Sequence, residues 1–213
     1  MKEGIVIITG ANSGIGKAAA IKFAKEGFTV VMACRNLDRS SVVQQEIIES
    51  TNNNSIDLFP LDVSSFQSIS EFCRQIQSKY GKLDILIHNA GYFMHGEKDY
   101  QLSKDGIELS FATNVFGPFL MTKLLANLLK KSEDGRVLTA CSTNIRHFFN
   151  PKRKIDYDNL LGEFKDSLPY NSYKMYGDSK MALLLVTNQL AEYYKNDGIK
   201  MNAVQTVSYT HLR

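Results

Sequence analysis

Six short apolar runs, separated by longer stretches of helical periodicity, constrain this chain more than any other feature. The runs are GIVIIT (4–9), FTVVMAC (28–34), IDLFPLD (56–62), LDILIH (83–88), RVLTAC (136–141) and IKMNAV (199–204). Each is nearly continuous in apolar side chains, as a strand buried on both faces requires. Helical spacing fills 14–26, about 38–51, 64–79, a long span near 104–131, and about 172–195. This alternation predicts a mostly parallel sheet covered by helices on both faces. Right-handed crossovers make it a doubly wound, Rossmann-type α/β fold. With 213 residues, 44% of them hydrophobic, a single domain with a sizeable core is expected over residues 1–205.

Several boundaries have a visible cause. Asp38 or Ser40 is expected to cap the second helix, and Ser64 or Ser65 the third. Gly27, Gly81 and Gly198 stand where helices hand over to strands, a common place for a left-handed residue. Pro118 falls inside the long fourth helical span and should kink or split it.

Composition excludes several classes. A net charge of +3 makes no case for nucleic acid. The histidines His88, His95, His147 and His211 show no zinc-ligand spacing, so no metal site is expected. Three cysteines, Cys34, Cys73 and Cys141, fit neither a disulfide nor a metal framework and point to a reducing compartment. No apolar stretch is seen to approach the ~20 residues of a membrane span. The start MKEGIVIITG is too short for a signal peptide. A soluble cytoplasmic protein is expected, and NPKRK (150–154) reads as a solvated loop rather than a nuclear signal.

The first apolar run ends in TGANSGIGKAAA, which places Gly10, Gly14 and Gly16 between a strand and a helix. The spacing is Gly-x-x-x-Gly-x-Gly, not Gly-x-Gly-x-x-Gly, but the demands are alike: a tight turn, close backbone approach to a pyrophosphate, and a helix N-terminus aimed at the phosphates. The second run ends with Cys34 where an acid would hold a ribose 2′-hydroxyl, and Arg35 follows. Asp38 is the first acid and suits a helix start better. An arginine here suits a 2′-phosphate, so NADP(H) is favoured over NAD(H).

With these stretches in place, the chain resembles the short-chain dehydrogenase/reductase family. TGANSGIG (9–16), LDVSS (61–65), HNAG (88–91), TNVFG (113–117), TACST (139–143) and YGDSK (176–180) match that family's motifs in order. ACRN, KDGIELSFATNVFGPFLMTKLL and IDYDNL look most like its retinol-dehydrogenase and WW-domain-oxidoreductase branch. The resemblance spans about residues 4–205. It implies that Gly10, Asn12, Ser13, Gly14, Ile15, Gly16, Arg35, Asp62, Val63, Asn89, Ala90 and Gly91, with Tyr176 and Lys180, hold the dinucleotide.

It also implies a catalytic set of Asn114, Ser142, Tyr176 and Lys180 for hydride transfer between nicotinamide and an apolar alcohol or carbonyl. A free tyrosine, with a pKa near ~10, is a poor base at neutral pH. A lysine ammonium nearby favours its phenolate. Ser142 would orient the substrate oxygen, with Cys141 where relatives often have another serine, and Asn114 would anchor a water linking Lys180 to solvent. Plainer readings stay open: Ser142 as a strand-end serine beside Thr143, Asn114 as a helix asparagine, Asn89 as a strand tie. Between Ser142 and Tyr176, Phe148, Phe149, Leu161 and Phe164 either line a substrate mouth or pack beneath a loop. YFMHGEKDY (92–100) borders the pocket, with His95 a loop residue.

The run YNSYKMYGDSK (170–180) contains Tyr-x-x-x-Lys twice. Tyr170 follows Pro169 and precedes the helix caps Asn171 and Ser172, so its spacing to Lys174 has no helical meaning. Tyr176 and Lys180 share one face with Leu183, Thr187 and Leu190. Lys174 points elsewhere, four residues from Asp178.

Relatives of this family continue past the sixth strand with a Pro-Gly turn, a mobile cover over the nicotinamide and a seventh strand. Here TVSYTHLR follows instead. Residues 206–213 are read as a non-native tail, the last strand and substrate lid as missing, and low stability and weak activity are expected. A homodimer or tetramer through the helices near 104–131 and 172–195 is the family habit. Two other readings remain: a non-catalytic dinucleotide-binding sensor or interaction protein, and a sugar-nucleotide epimerase or dehydratase.

Overall fold

The computed structural model describes residues 4–142, Ile155, Asn159 and 170–206. The six apolar runs become six strands: β1 (Ile5–Thr9), β2 (Thr29–Cys34), β3 (Ile56–Pro60), β4 (Ile85–His88), β5 (Arg136–Ser142) and β6 (Lys200–Thr206). All pair in parallel, in the order β3-β2-β1-β4-β5-β6. The chain builds outward from β1 to β3, then crosses back and builds the other way from β4. The reversal lies between β1 and β4, where open α/β sheets hold ligands at their strand C-termini.

The strands are apolar on both faces because both faces are covered. Ile7, Val31, Leu86 and Val137 enter one core with Ile69, Phe72, Met121 and Leu125. Val6, Ile8, Val30 and Met32 enter the other with Ala20, Ala24 and Ile47. Among the described residues the α-helices are α1 (Gly14–Lys25), α2 (Leu37–Thr51), α3 (Phe66–Lys79), the short α4 (Leu109–Phe111), α5 (Gly117–Leu129) and α6 (Ser172–Tyr194). In α3 the buried Ile69, Phe72, Cys73 and Ile76 recur every three or four residues, the spacing of a core-facing stripe.

Some boundaries differ from expectation. Neither Asp38 nor Ser40 caps α2: the Asn36 side chain accepts from Arg39 N–H at 2.9 Å, and Asp38 falls in the first turn. Asparagine is an equally good cap, and taking it draws the helix start to Leu37. Ser65 caps α3. Gly27 and Gly198 are left-handed, but Gly81 is not, because the extended Tyr80 already turns the chain out of α3. Helix does not begin near 104: the turn at Gly106 and a bridge between Leu102 and Glu108 occupy that stretch.

The break at Pro118 takes the form of a π-helical turn, Ala112–Phe116, between α4 and α5. Pro118 has no N–H to give the carbonyl four residues back, and Gly117 N–H reaches back to Ala112 O instead. The rod Leu109–Leu129 is also long and apolar enough to cross a membrane, with mean hydropathy 1.2. That corrects the reading that no stretch approaches this length. Most of it is buried against the sheet and α3, as a core helix is. β6 reaches Thr206, and residues 207–213 lie outside the described residues.

Candidate active site

The strand-to-helix turn after β1 carries backbone strain that glycine tolerates. Gly10 sits at φ 66° and Gly14 at φ 50°, where a Cβ is unfavourable. At Gly16 the constraint is space, since a Cβ would lie 2.3 Å from Gly10 O and 2.5 Å from Asn89 Nδ2. Ser13 caps α1 without a side-chain hydrogen bond, and the first turn holds no acid. The free N–H groups and positive end of α1 therefore face the cleft unneutralised.

Asn89 ties this turn to β4. Its Nδ2 donates to Thr9 O at 2.9 Å and Gly10 O at 3.3 Å, while Thr9 Oγ1 receives the N–H groups of Asn89 and Ala90. The plain strand-tie role is thus real, and Asn89 lines the cleft as well.

A cleft of about 650 Å3 runs from this turn across the ends of β1, β2 and β4. Gly10, Asn12, Ser13, Gly14, Ile15, Arg35, Asp62, Val63, Asn89, Ala90 and Gly91 all line it; Gly16 lies beneath, against the turn. Its size falls within the usual ~300–1,000 Å3 of ligand sites. Asp62 Oδ1 accepts from the backbone N–H and the hydroxyl of Ser64, and the residue lines the cleft. Cys34 is buried at the end of β2, and burial pushes its thiol up against the opposing hydrogen bonds of Ser40, Ala11 and Asn12. Asp38 does not line the cleft. Arg39, which the sequence reading passed over, joins Arg35 there. The four-residue spacing of the two arginines across a helix start was the available signal.

The cleft leads into a smaller chamber of about 190 Å3, where Tyr176 and Lys180 meet Gly91, Tyr92, Phe93 and Ala140. Lys180 is 5% exposed. Its Nζ donates to Ala140 O at 2.8 Å and lies 5.9 Å from the centre of the Tyr176 ring. Burial pushes its amine down to about 8, with Cys141 pulling the other way. Asn114 stands in the π turn. Its Oδ1 accepts from Tyr92 N–H at 2.8 Å, and its Nδ2 donates to Tyr92 O at 3.0 Å and Ser179 Oγ at 2.9 Å. A Cβ on Gly91 would lie 3.3 Å from Asn114 Oδ1 and 3.4 Å from Lys180 Nζ. Glycine thus keeps open the gap that Asn114 and Lys180 share.

Ser142 ends β5, buried and two residues beyond Ala140, outside the set of described residues lining the chamber. Thr143, Phe148, Phe149, Leu161 and Phe164 lie outside the described residues. Phe93 packs on Tyr176 at 4.6 Å and on Tyr173 at 5.3 Å, so the stretch after Gly91 does border the site. His95 joins that cluster at its edge, 5.1 Å from Tyr173. Tyr170 stands before the cap Asn171, away from the chamber. Lys174 pairs with Asp178 at 3.3 Å. Cys34, Cys73 and Cys141 are all buried and none is in a disulfide.

The sequence model of the short chain dehydrogenase family matches residues 4–150. Retinol dehydrogenase 13 of Homo sapiens is 33% identical over 199 residues, covering 93% of this chain and 57% of that protein. WW domain-containing oxidoreductase of Gallus gallus is 33% identical over 202 residues, covering 94% and 47%. The chain thus spans about half the length of these curated relatives. A solved short chain dehydrogenase of Escherichia coli CFT073, complexed with NADPH, shares the fold with a TM-score of 0.75 at 24% identity, covering 97% of this chain and 78% of its own.

Proposed function

The chain belongs to the short-chain dehydrogenase family, and on that premise we propose that it is an NADP(H)-dependent oxidoreductase acting on an apolar alcohol or carbonyl compound. The observation that carries this reading is the chamber where Tyr176 and the buried Lys180 line one small space at the end of the cleft. The residues present fit a dinucleotide. The unneutralised N-terminus of α1 suits a pyrophosphate, the Asp62 carboxylate suits the adenine amino group, and Arg35 with Arg39 suits a 2′-phosphate. No acid ends β2 to favour a bare ribose.

The bound nicotinamide supplies the hydride chemistry. The chain's own task is the proton. Tyr176 Oη gives it to the substrate oxygen on reduction and takes it back on oxidation. Lys180 is charged below about pH 8, so its ammonium holds positive charge beside that exchange. Asn114 frames the gap beyond Lys180 through which a proton leaves for solvent. Ser142, at the end of β5, orients the substrate oxygen. Phe93 gives the chamber an apolar border, in keeping with relatives named as retinol dehydrogenases.

The test is NADPH absorbance followed with a panel of aldehydes, ketones and retinoids. Turnover with apolar members supports the reading. NADPH binding without turnover across the panel would favour the dinucleotide sensor.

A further inference from the structure

Tyr170 takes no part in the chemistry above, yet it is firmly engaged. Its hydroxyl donates to Glu108 Oε1 at 2.9 Å. Its ring packs 4.7 Å from that of Tyr100, whose hydroxyl accepts from Asn159 Nδ2 at 3.0 Å. Glu108 is wholly buried. Its other oxygen accepts the N–H of Phe111 at 3.0 Å and so caps α4, the turn that runs into the π segment holding Asn114. Burial first, and then the charge of Glu108, push the Tyr170 phenol up, which keeps its proton available for donation.

A buried carboxylate is costly unless its oxygens are filled. Here each oxygen takes one donor, and the donors come from the two segments that build the site. One is the rod bearing Asn114. The other is the residue directly before the Asn171 cap of α6, the helix bearing Tyr176 and Lys180. Farther along, the same two helices touch again where Asn114 Nδ2 meets Ser179 Oγ. Two fixed points set both the separation and the register of a pair of rods, whereas one leaves a pivot.

We infer that Glu108 is a positioning residue for the reaction, acting through Tyr170 to set where Tyr176 and Lys180 stand relative to Asn114. The inference rests on the oxidoreductase reading above. The test compares the protein with Tyr170→Phe, Glu108→Gln and the double substitution, using nonanal and NADPH and counting NADPH sites to correct for folded fraction. Each single change should lower kcat about tenfold with the KM for NADPH within about twofold. The double should be no worse than the poorer single, because both cut the same link. An unchanged kcat, or losses that multiply to about a hundredfold, overturns the inference. If the parent protein turns over no carbonyl compound, the oxidoreductase reading fails and the clamp is read by deuterium exchange. Either single change should then speed exchange at both 111–115 and 172–175; acceleration at only one stretch, or at neither, refutes it.

Discussion

Lys180 Nζ donates to Ala140 O, so the cation of α6 is held against the edge of β5 rather than left to swing in solvent. Burying it depresses its pKa from 10.5 to about 8. At about 1.4 kcal/mol for each pH unit, that is a cost of about 3 kcal/mol. The sign follows from linkage. Below about pH 8 the amine is charged in both folded and unfolded chains and the cost is complete; between about 8 and 10.5 the folded chain sheds its proton first and stability rises. Lys180→Met should therefore raise stability at pH 7 by up to about 3 kcal/mol while abolishing turnover. Urea unfolding and NADPH consumption measure the two effects, and a less stable variant would contradict the account.

Tyr176→Phe removes only the hydroxyl. It should cut turnover at least about a hundredfold and leave NADPH affinity within about twofold, as read by fluorescence titration. Wild-type turnover in this variant would overturn the assigned mechanism.

Arg35→Asp should weaken NADPH binding by at least about tenfold while sparing NADH, since a carboxylate then faces the 2′-phosphate. Arg39→Asp should act in the same direction from the first turn of α2. Equal losses for the two nucleotides would remove the basis for preferring NADP(H).

His88 is buried with Nε2 on Thr122 Oγ1, and its Nδ1 has no partner among the described residues. Burial pushes it down to about 3 from 6.5. Its neutral form therefore supports the fold above pH 6.5, and that support is lost as pH falls toward 3, because only the unfolded chain gains the proton. Between pH 7 and pH 5 the protein should lose about 2 kcal/mol more than His88→Asn. Parallel stability–pH curves for the two would refute this.

The residues of the turn, the cleft and the chamber were the most legible, because their spacing is dictated by backbone geometry. Gly10, Gly14 and Gly16 reveal a strand-to-helix turn, and Tyr176 with Lys180 can share a face only inside a helix. The sheet was legible for a related reason: strands buried on both faces have nowhere to put polar side chains. What escaped depended on packing across the chain. Arg39 joins the cleft because Asn36, rather than a later residue, begins α2. Glu108 and Tyr170 are far apart in sequence, and neither belongs to a periodic pattern, so nothing local announced their bond. The buried rod Leu109–Leu129 was underestimated because scattered polar residues such as Asn114 and Thr122 interrupt its apolar run, and each has an internal partner.

The π turn at Ala112–Phe116 has a consequence for the phase of the rod it interrupts. One extra residue per turn rotates everything downstream by about 100° relative to an unbroken α-helix. That rotation lets one continuous element set Asn114 on the Tyr92 backbone and Ser179 beside the chamber and, a few residues on, aim Met121, Leu125 and Leu129 into the core. A single-residue deletion there would scarcely alter composition or hydropathy, yet it would force a choice between the site and the core. The length of this segment is therefore as much a part of its information as the identity of its side chains.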